Sequence, residues 1–400
     1  MEAHIHMWLA LLLRWAHFIT GVAWIGASFY FNWLENHLER TQKPEGVAGD
    51  LWAVHGGGFY YLKKFKVAPD ELPATLHWFK WEAYTTWLSG FALLCVTYYL
   101  NARVFLLQAG GTVITEPLAI TAGLSSMLVS WVFYDLLCRS RIAASHFWFA
   151  AMLLGWFVIL AWGLGQIFSG RAAYIHVGAA IGTIMVANVF RVIIPSQKEL
   201  VSAVTENRVP QASKGIEALQ RSRHNNYFTL PVLFIMISSH YPATYGHDMN
   251  WLVLLLISLS GLLVRHYFNL RHLPSLKAWP LAVAAILFVG LVAITAPKTR
   301  SSVSVSVPEV GIMEAWEVVQ QRCMTCHAEK PGNTGFTSAP LGIELDTIDG
   351  LRRNAEKVYM ASVINMTMPL GNLTQMTDAE RYTIANWFEN RVQGQDEAHE

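Results

Sequence analysis

Charged residues are scarce in this 400-residue chain: they make up 14% of it, whereas hydrophobic residues make up 53%. A soluble globular domain carries about 25% charged residues, so the shortage excludes a single soluble domain and a disordered chain. The net charge of +1 excludes a strongly basic nucleic-acid-binding protein. Only four cysteines are present, too few for a disulfide scaffold. With its 16 tryptophans, this composition is typical of a membrane protein.

The small net charge conceals two parts of opposite sign. Residues 1–297 contain 20 Lys and Arg against 14 Asp and Glu, whereas residues 298–400 contain 9 against 14. We therefore predict an integral membrane domain over 1–297, a linker rich in Ser and Val over 298–311, a small domain over 312–392 and a polar tail over 393–400.

Long apolar runs fill the first part of the chain. A helix needs about 20 mostly apolar residues to cross the hydrocarbon core of a bilayer. The stretches that meet or approach this length lie at roughly 8–33, 78–100, 118–137, 147–168, 173–194, 228–240, 250–270 and 279–296. The predicted fold class is therefore all-α: a polytopic membrane bundle of about eight spans, followed by a small helical domain.

Lys and Arg are unevenly distributed between the predicted loops. Sixteen lie in the segments 34–76, 138–146, 191–226 and 265–278, but only two lie in the loops on the opposite side. Because positively charged loops stay in the cytoplasm, this bias places both termini outside. The expected location is a bacterial inner membrane, with the small C-terminal domain in the periplasm.

The C-terminal part contains one motif with specific chemistry. Cys323, Cys326 and His327 form C-x-x-C-H, the attachment signature of a c-type haem. Two thiols at this spacing can reach both vinyl groups of one porphyrin, and the adjacent imidazole can bind the iron. Zinc would need two further ligands, and the only other histidine in this part is His399, near the end of the chain.

The order of elements around this motif resembles a class I cytochrome c domain. A short amphipathic segment, Met313–Val319, precedes the motif, and the Met368–Pro369 pair follows it. The capping box Thr377–Glu380 then predicts a helix that continues through Trp387 and Phe388. The resemblance implies that the haem is bonded to both cysteines, with His327 as the proximal iron ligand and a methionine as the distal one.

Four methionines compete for the distal position. The resemblance favours Met368, because the ligand in this family usually precedes a proline. Met366 is its competitor, and Met360 and Met376 are poorer candidates. Methionine and histidine together leave no open position on the iron, which suits electron transfer.

Polar side chains inside apolar spans are costly and are often functional. Those toward the predicted cytoplasmic ends that we consider as site residues are Glu82, Asp135, Arg191, His224, Asn225 and Asn226. His17 and His176 lie in the predicted outer half, where they could hold a second haem, of the b type. The alternative is that both are structural histidines that form hydrogen bonds within the bundle.

The whole arrangement resembles the membrane-bound urate oxidase family. The stretches that carry the resemblance are His17–Trp33, Ile175–Phe190 and Arg223–Pro231, together with the cytochrome-like tail. The resemblance implies oxidation of urate to 5-hydroxyisourate. It also implies that the electrons leave through the haem to a periplasmic or membrane acceptor, such as a cytochrome c or a terminal oxidase.

The expected roles of the polar residues follow from the chemistry of urate, a planar monoanion at neutral pH. Arg191, His224, Asn225 and Asn226 offer donors and acceptors for its oxygens and nitrogens. Glu82 or Asp135 could accept a proton as electrons depart. The alternative function is a quinol-oxidising membrane module that reduces its own cytochrome tail.

The haem motif gives the first testable prediction. Full-length protein made with cytochrome c maturation should carry haem that survives a denaturing gel, detected by peroxidase staining. Replacement of both Cys323 and Cys326 by Ser should abolish the stain, because no thiol remains for a thioether bond. Cys95→Ser is the matched control and should stain like the wild type; a stained double variant would contradict the motif assignment.

Overall fold

A computed structural model describes residues 2–107, 114–273, 277–296, 310–332, 336, 338–364 and 366–396. We call residues 2–296 the helical module and residues 310–396 the tail module. The predicted linker lies almost entirely outside the described residues, and so do residues 397–400 of the predicted polar tail.

Helices dominate the described part of the chain, confirming the main prediction of fold class. The helices are α1 (Glu2–His37), α2 (Trp81–Leu94), α3 (Ala102–Phe105), α4 (Glu116–Arg139), α5 (His146–Gly165), α6 (Gly170–Ala187), α7 (Ile194–Thr205), α8 (Ala212–Ser238), α9 (Pro242–Tyr245), α10 (Asn250–Leu270), α11 (Trp279–Ile294), α12 (Ile312–Arg322), α13 (Ile348–Arg353), α14 (Ala355–Tyr359) and α15 (Asp378–Asp396). π-Helical turns extend α2 over Cys95–Tyr99 and join α6 to α7 over Asn188–Ile193.

Five helices in the described residues are long and apolar enough to cross a membrane. They are α1, α4, α5, α10 and the continuous helix Gly170–Thr205. The other three predicted spans fall on α2, α8 and α11. Helix α2 has 14 residues and α11 has 16, while α8 has 27 residues but a polar first half. The number of eight spans therefore stays a prediction.

The segment 34–76 is not the plain loop that the apolar runs suggested. Strands β1 (Val47–His55) and β2 (Gly58–Phe65) form an antiparallel hairpin, and Gly56 and Gly57 take positive φ angles at its turn. The all-α prediction is wrong in this segment. A search for apolar runs of about 20 residues misses strands of eight or nine residues, which need only half-buried, alternating side chains.

The sixth predicted span, 228–240, also needs correction. Helix α8 begins at Ala212, 16 residues before the predicted start of the span, and Pro231 lies inside it. The polar stretch before Phe228 is therefore part of the same helix. This extension brings several charged and amide side chains into the bundle.

Each module has its own hydrophobic core. In the helical module, α4 packs on α6, and Leu106, Tyr134, Phe168 and Ile184 are fully buried. In the tail module, α12 packs on α15 and buries apolar side chains including Ala315. The amphipathic helix predicted at Met313–Val319 is thus confirmed.

The predicted capping box of α15 is also confirmed. The amide of Thr377 donates to Glu380 Oε2 at 2.6 Å, and the amide of Glu380 donates to Thr377 Oγ1 at 3.3 Å. Glu380 has a second partner, because Arg322 at the end of α12 donates to its Oε1 at 2.9 Å. The helix that precedes the haem motif is therefore tied to the helix that closes the tail module.

This tie should make the stability of the tail module depend on pH. Burial raises the pKa of Glu380, but hydrogen bonds from Arg322 and Thr377 outweigh it and hold the pKa below its ordinary value. A carboxylate with a depressed folded-state pKa stabilises above its unfolded pKa, and that contribution disappears as the pH falls through the folded pKa. We expect Glu380→Gln to remove this acid dependence below about pH 5.

Amide hydrogen exchange of α12 in the full chain measures this effect. Glu356→Gln, at an exposed position of α14, is the matched control and should keep the acid dependence of the wild type. If Glu380→Gln also keeps it, the pair does not contribute to stability in this way.

Candidate functional site

A buried ion pair joins α4 to α8. Arg221 Nη2 donates to Asp135 Oδ1 at 2.8 Å, and the Arg221 side chain is only 2% exposed. Arg139, one turn after Asp135 on α4, donates to its second carboxylate oxygen at 2.7 Å and is itself 62% exposed. A buried guanidinium is strongly destabilising unless it is paired, so this ion pair constrains how the two helices pack.

Amide side chains extend the ion pair into a network. Arg221 Nη1 donates to Asn188 Oδ1 at 3.4 Å, and Asn188 Nδ2 donates to Asn225 Oδ1 at 2.8 Å and to Tyr134 Oη at 3.1 Å. Asn225 Nδ2 donates to the carbonyl of Met185 at 2.9 Å. Both ends of each amide are therefore used within the bundle.

His224 closes the network on its far side. Tyr134 Oη lies 2.8 Å from His224 Nδ1. Because Tyr134 accepts from Asn188, its own O–H is free to donate to this nitrogen. The imidazole also stacks on Phe149, with ring centroids 4.8 Å apart. We call Tyr134, Asp135, Asn188, Arg221, His224 and Asn225 the closed network.

A second polar cluster lies where α1, α8 and α10 meet. Asn226 Nδ2 donates to the carbonyl and to the hydroxyl of Ser28, each at 3.2 Å. Arg265 Nε donates to Asn226 Oδ1 at 2.7 Å, and the guanidinium lies 3.9 Å from the centre of the Phe29 ring. Successive helical residues point about 100° apart, so Asn225 and Asn226 serve different clusters.

Glu82 lies on α2, which packs against α1. Its Oε2 atom is buried and has no hydrogen-bond partner among the described residues. Thr86, one turn along α2, contacts α1 at Gly21, where its Cγ2 lies 3.8 Å from the Cβ position. Because α1 and α2 run antiparallel, Glu82 lies near the level of Ile25, about one helical turn from Ser28.

The structure brings most of the predicted site residues together, but in two groups. Asp135, His224 and Asn225 belong to the closed network, and Asn226 belongs to the second cluster. Arg191 joins neither group: its side chain is exposed on the π-helical turn.

Sequence reasoning missed four side chains of these clusters as site residues: Ser28, Tyr134, Arg221 and Arg265. One signal was available, since Arg221 precedes Asn225 by four positions and so shares a helical face with it. No such signal was available for Ser28, Tyr134 and Arg265, because their partners lie in distant parts of the chain.

The two histidines considered for a b-type haem have different surroundings. His176 is fully buried; its Nδ1 lies 2.8 Å from the carbonyl of Ala172, and its Nε2 lies 3.0 Å from Tyr99 Oη. With both ring nitrogens engaged, His176 does not fit the role of an axial ligand. His17 has only Nδ1 engaged, 2.9 Å from the carbonyl of Thr86. We therefore propose no b-type haem between His17 and His176.

The C-x-x-C-H residues fit a c-type haem. His327 Nδ1 lies 2.9 Å from the carbonyl of Ile343, to which it donates, leaving Nε2 as the nitrogen for iron. Cys323 and Cys326 are not joined by a disulfide. Among the described residues, no three His, Cys, Asp or Glu side chains are placed to hold a metal ion such as zinc.

The loop that carries Met368 is fixed through its backbone. The amide of Met368 donates to the carbonyl of Ala361 at 3.0 Å, and its carbonyl accepts from Arg381 Nη1 at 2.8 Å. Arg381, which is buried, also donates to the carbonyl of Ser362. The guanidinium thus ties this loop to α15.

The competing methionines are placed differently. Met366 is 49% exposed and Met360 is 41% exposed, whereas Met376 is 3% exposed and packs in the hydrophobic core of the tail module. The backbone of Met368 is held by hydrogen bonds, and Met368 stays the predicted distal ligand.

The closed network generates a stability prediction. Asp135→Leu leaves the Arg221 charge buried without its partner and should destabilise the chain by about 3–5 kcal/mol. Adding Arg221→Met removes the stranded charge, so the double variant should be more stable than Asp135→Leu alone. Thermal unfolding in detergent measures both.

Arg139→Gln is the matched control, because it removes the exposed partner of the same carboxylate and should cost less than about 1 kcal/mol. If the double variant is no more stable than Asp135→Leu, the buried charge is not the source of the loss.

Comparison with protein families identifies the helical module. The model of the urate oxidase N-terminal family matches residues 3–296, which is more than half of the chain. Comparisons with curated proteins and with solved structures found no match. The matched range includes both polar clusters and ends before the tail module. The chain therefore belongs to the urate oxidase N-terminal family.

Proposed function

We propose that this protein is a membrane-bound urate oxidase whose electrons leave through a c-type haem in its tail module. Membership of the urate oxidase N-terminal family supports a urate-related oxidoreductase. The observation that carries the finer proposal is that the same chain also contains C-x-x-C-H, with the motif histidine held by the carbonyl of Ile343. A urate-oxidising module and an electron-accepting module would thus be part of one polypeptide.

The overall reaction balances without molecular oxygen. The urate monoanion and one water molecule give neutral 5-hydroxyisourate, one proton and two electrons. When bound, the haem would take these electrons one at a time at the positive potential typical of His and Met ligation. Cys323 and Cys326 would hold it by thioether bonds, and His327 and Met368 would bind its iron.

Contacts between the modules support this route. The helical turn Leu370–Asn372, directly after Met368 and Pro369, contacts α3 of the helical module. The ring of Phe336 lies 6.4 Å from that of Phe105 at the end of α3. The loop expected to carry the distal ligand therefore faces the segment that follows Tyr99, in the connection predicted to lie outside.

The proposed arrangement in the cell follows from the loop charges. The helical module would lie in a bacterial inner membrane, with both termini and the tail module in the periplasm. Both polar clusters lie toward the opposite, cytoplasmic ends of the helices, where purine degradation would supply urate. The final acceptor would be a periplasmic or membrane-bound redox protein.

An anaerobic titration tests the proposal. Urate added to the air-oxidised protein should produce the α-band of a reduced c-type haem, with an endpoint near one urate for two protein molecules, because urate supplies two electrons and each haem takes one. A quinol should not reduce the haem. Reduction by quinol but not by urate would replace this function with that of a quinol-oxidising module.

A further inference from the structure

We propose that Arg265 binds the urate anion where α1, α8 and α10 meet, with Asn226 as the positioning residue of its guanidinium and Glu82 as the acceptor of the reaction proton. This inference rests on the proposed function and deepens it, since it selects one of the two polar clusters as the substrate site.

The closed network has little left to offer a substrate. Both Nη groups of Arg221 are bonded, to Asp135 and Asn188, and only its buried Nε has no partner among the described residues. Asn225 is bonded to Asn188 and to the carbonyl of Met185. A ligand that bound to Arg221 would have to break its ion pair with Asp135. Breaking this pair would be strongly destabilising, because the Arg221 side chain is buried. The network is better suited to hold α4, α6 and α8 together.

Arg265 is held in place through only one of its donor groups. Its Nε donates to Asn226, and its face rests on Phe29, so side chains from α1 and α8 set the orientation of the guanidinium. The two Nη groups make no hydrogen bond to any described residue. A guanidinium fixed in this way presents paired donors, which match the adjacent oxygen and nitrogen atoms of a planar anion.

Asn226 owes its position to Ser28. Its Nδ2 donates to the backbone carbonyl and the hydroxyl of this α1 residue, which leaves Oδ1 to accept from Arg265. The amide is therefore saturated and does not contact substrate itself. Its role is to accept from Nε and so hold the guanidinium of Arg265 in one orientation.

Glu82 supplies the base that the reaction needs. The urate monoanion with water releases one proton with its two electrons, and a buried carboxylate oxygen without a donor is ready to accept a proton. Glu82 shares a face of α2 with Thr86, which contacts α1 at Gly21, and this places Glu82 about a helical turn from Ser28 along α1. The electrons go one at a time to the c-type haem of the proposed function.

Binding is tested without turnover, using holoprotein whose haem has been reduced by dithionite and equilibrium dialysis of radiolabelled urate. Arg265→Gln should weaken urate binding about 10- to 100-fold, as expected for the loss of hydrogen bonds to a charged partner. Arg265→Lys should restore part of the affinity, because lysine returns the positive charge but not the paired donors of the guanidinium. Arg271→Gln, at an exposed position next to the end of α10, is the matched control.

Turnover separates the three roles. Arg265→Gln should mainly raise KM, and Asn226→Ala should raise KM less. Glu82→Gln should lower kcat about 100-fold, as for loss of a general base, while urate binding stays intact. Haem content and thermal midpoint confirm that each variant is folded.

The outcomes distinguish the two levels of the proposal. Wild-type affinity in Arg265→Gln, with urate oxidation by the wild type intact, overturns this inference and leaves the proposed function standing. A wild-type protein that neither binds nor oxidises urate overturns both. A wild-type kcat in Glu82→Gln overturns the proton-accepting role alone.

Discussion

Burial of the Arg221 guanidinium is the constraint on which the packing of the helical module depends. A guanidinium at 2% exposure is strongly destabilising unless it is paired. Its two Nη groups find partners on two other elements, Asp135 on α4 and Asn188 between α6 and α7, and only its Nε has none among the described residues. Tyr134 and Asn225 then saturate Asn188. If Asp135 or Asn188 moved away, the Arg221 charge would be buried without that partner. The packing of α4, α8 and the turn between α6 and α7 is therefore constrained by these hydrogen bonds.

A buried polar cluster in this protein is not thereby a catalytic site. A network whose donors and acceptors are nearly all satisfied specifies a structure, whereas unsatisfied groups mark a place where a ligand can add bonds. Glu82 and Arg265 keep such capacity, and Asn226 orients the arginine. The polar residues of α8 thus serve two purposes, one on each side of the helix.

The tail module follows the same principle with different chemistry. The capping box at Thr377 and the hydrogen bond from Arg322 to Glu380 place α15 against the helix that leads into the haem motif. From α15, Arg381 reaches back to the loop that carries Met368. The backbone segments that carry His327 and Met368 are therefore both connected to the same closing helix.

Local patterns in the sequence were enough to predict the helical bundle, the C-x-x-C-H motif and the capped helix after Thr377, because each depends on residues within a turn or a span of one another. Tertiary structure alone decided that Asp135 meets Arg221, 86 positions away, and that Asn226 turns to Arg265 while Asn225 does not. Such pairings depend on which faces of α4, α8 and α10 are brought together. That choice is made by close packing of many side chains at once, and no local pattern encodes it.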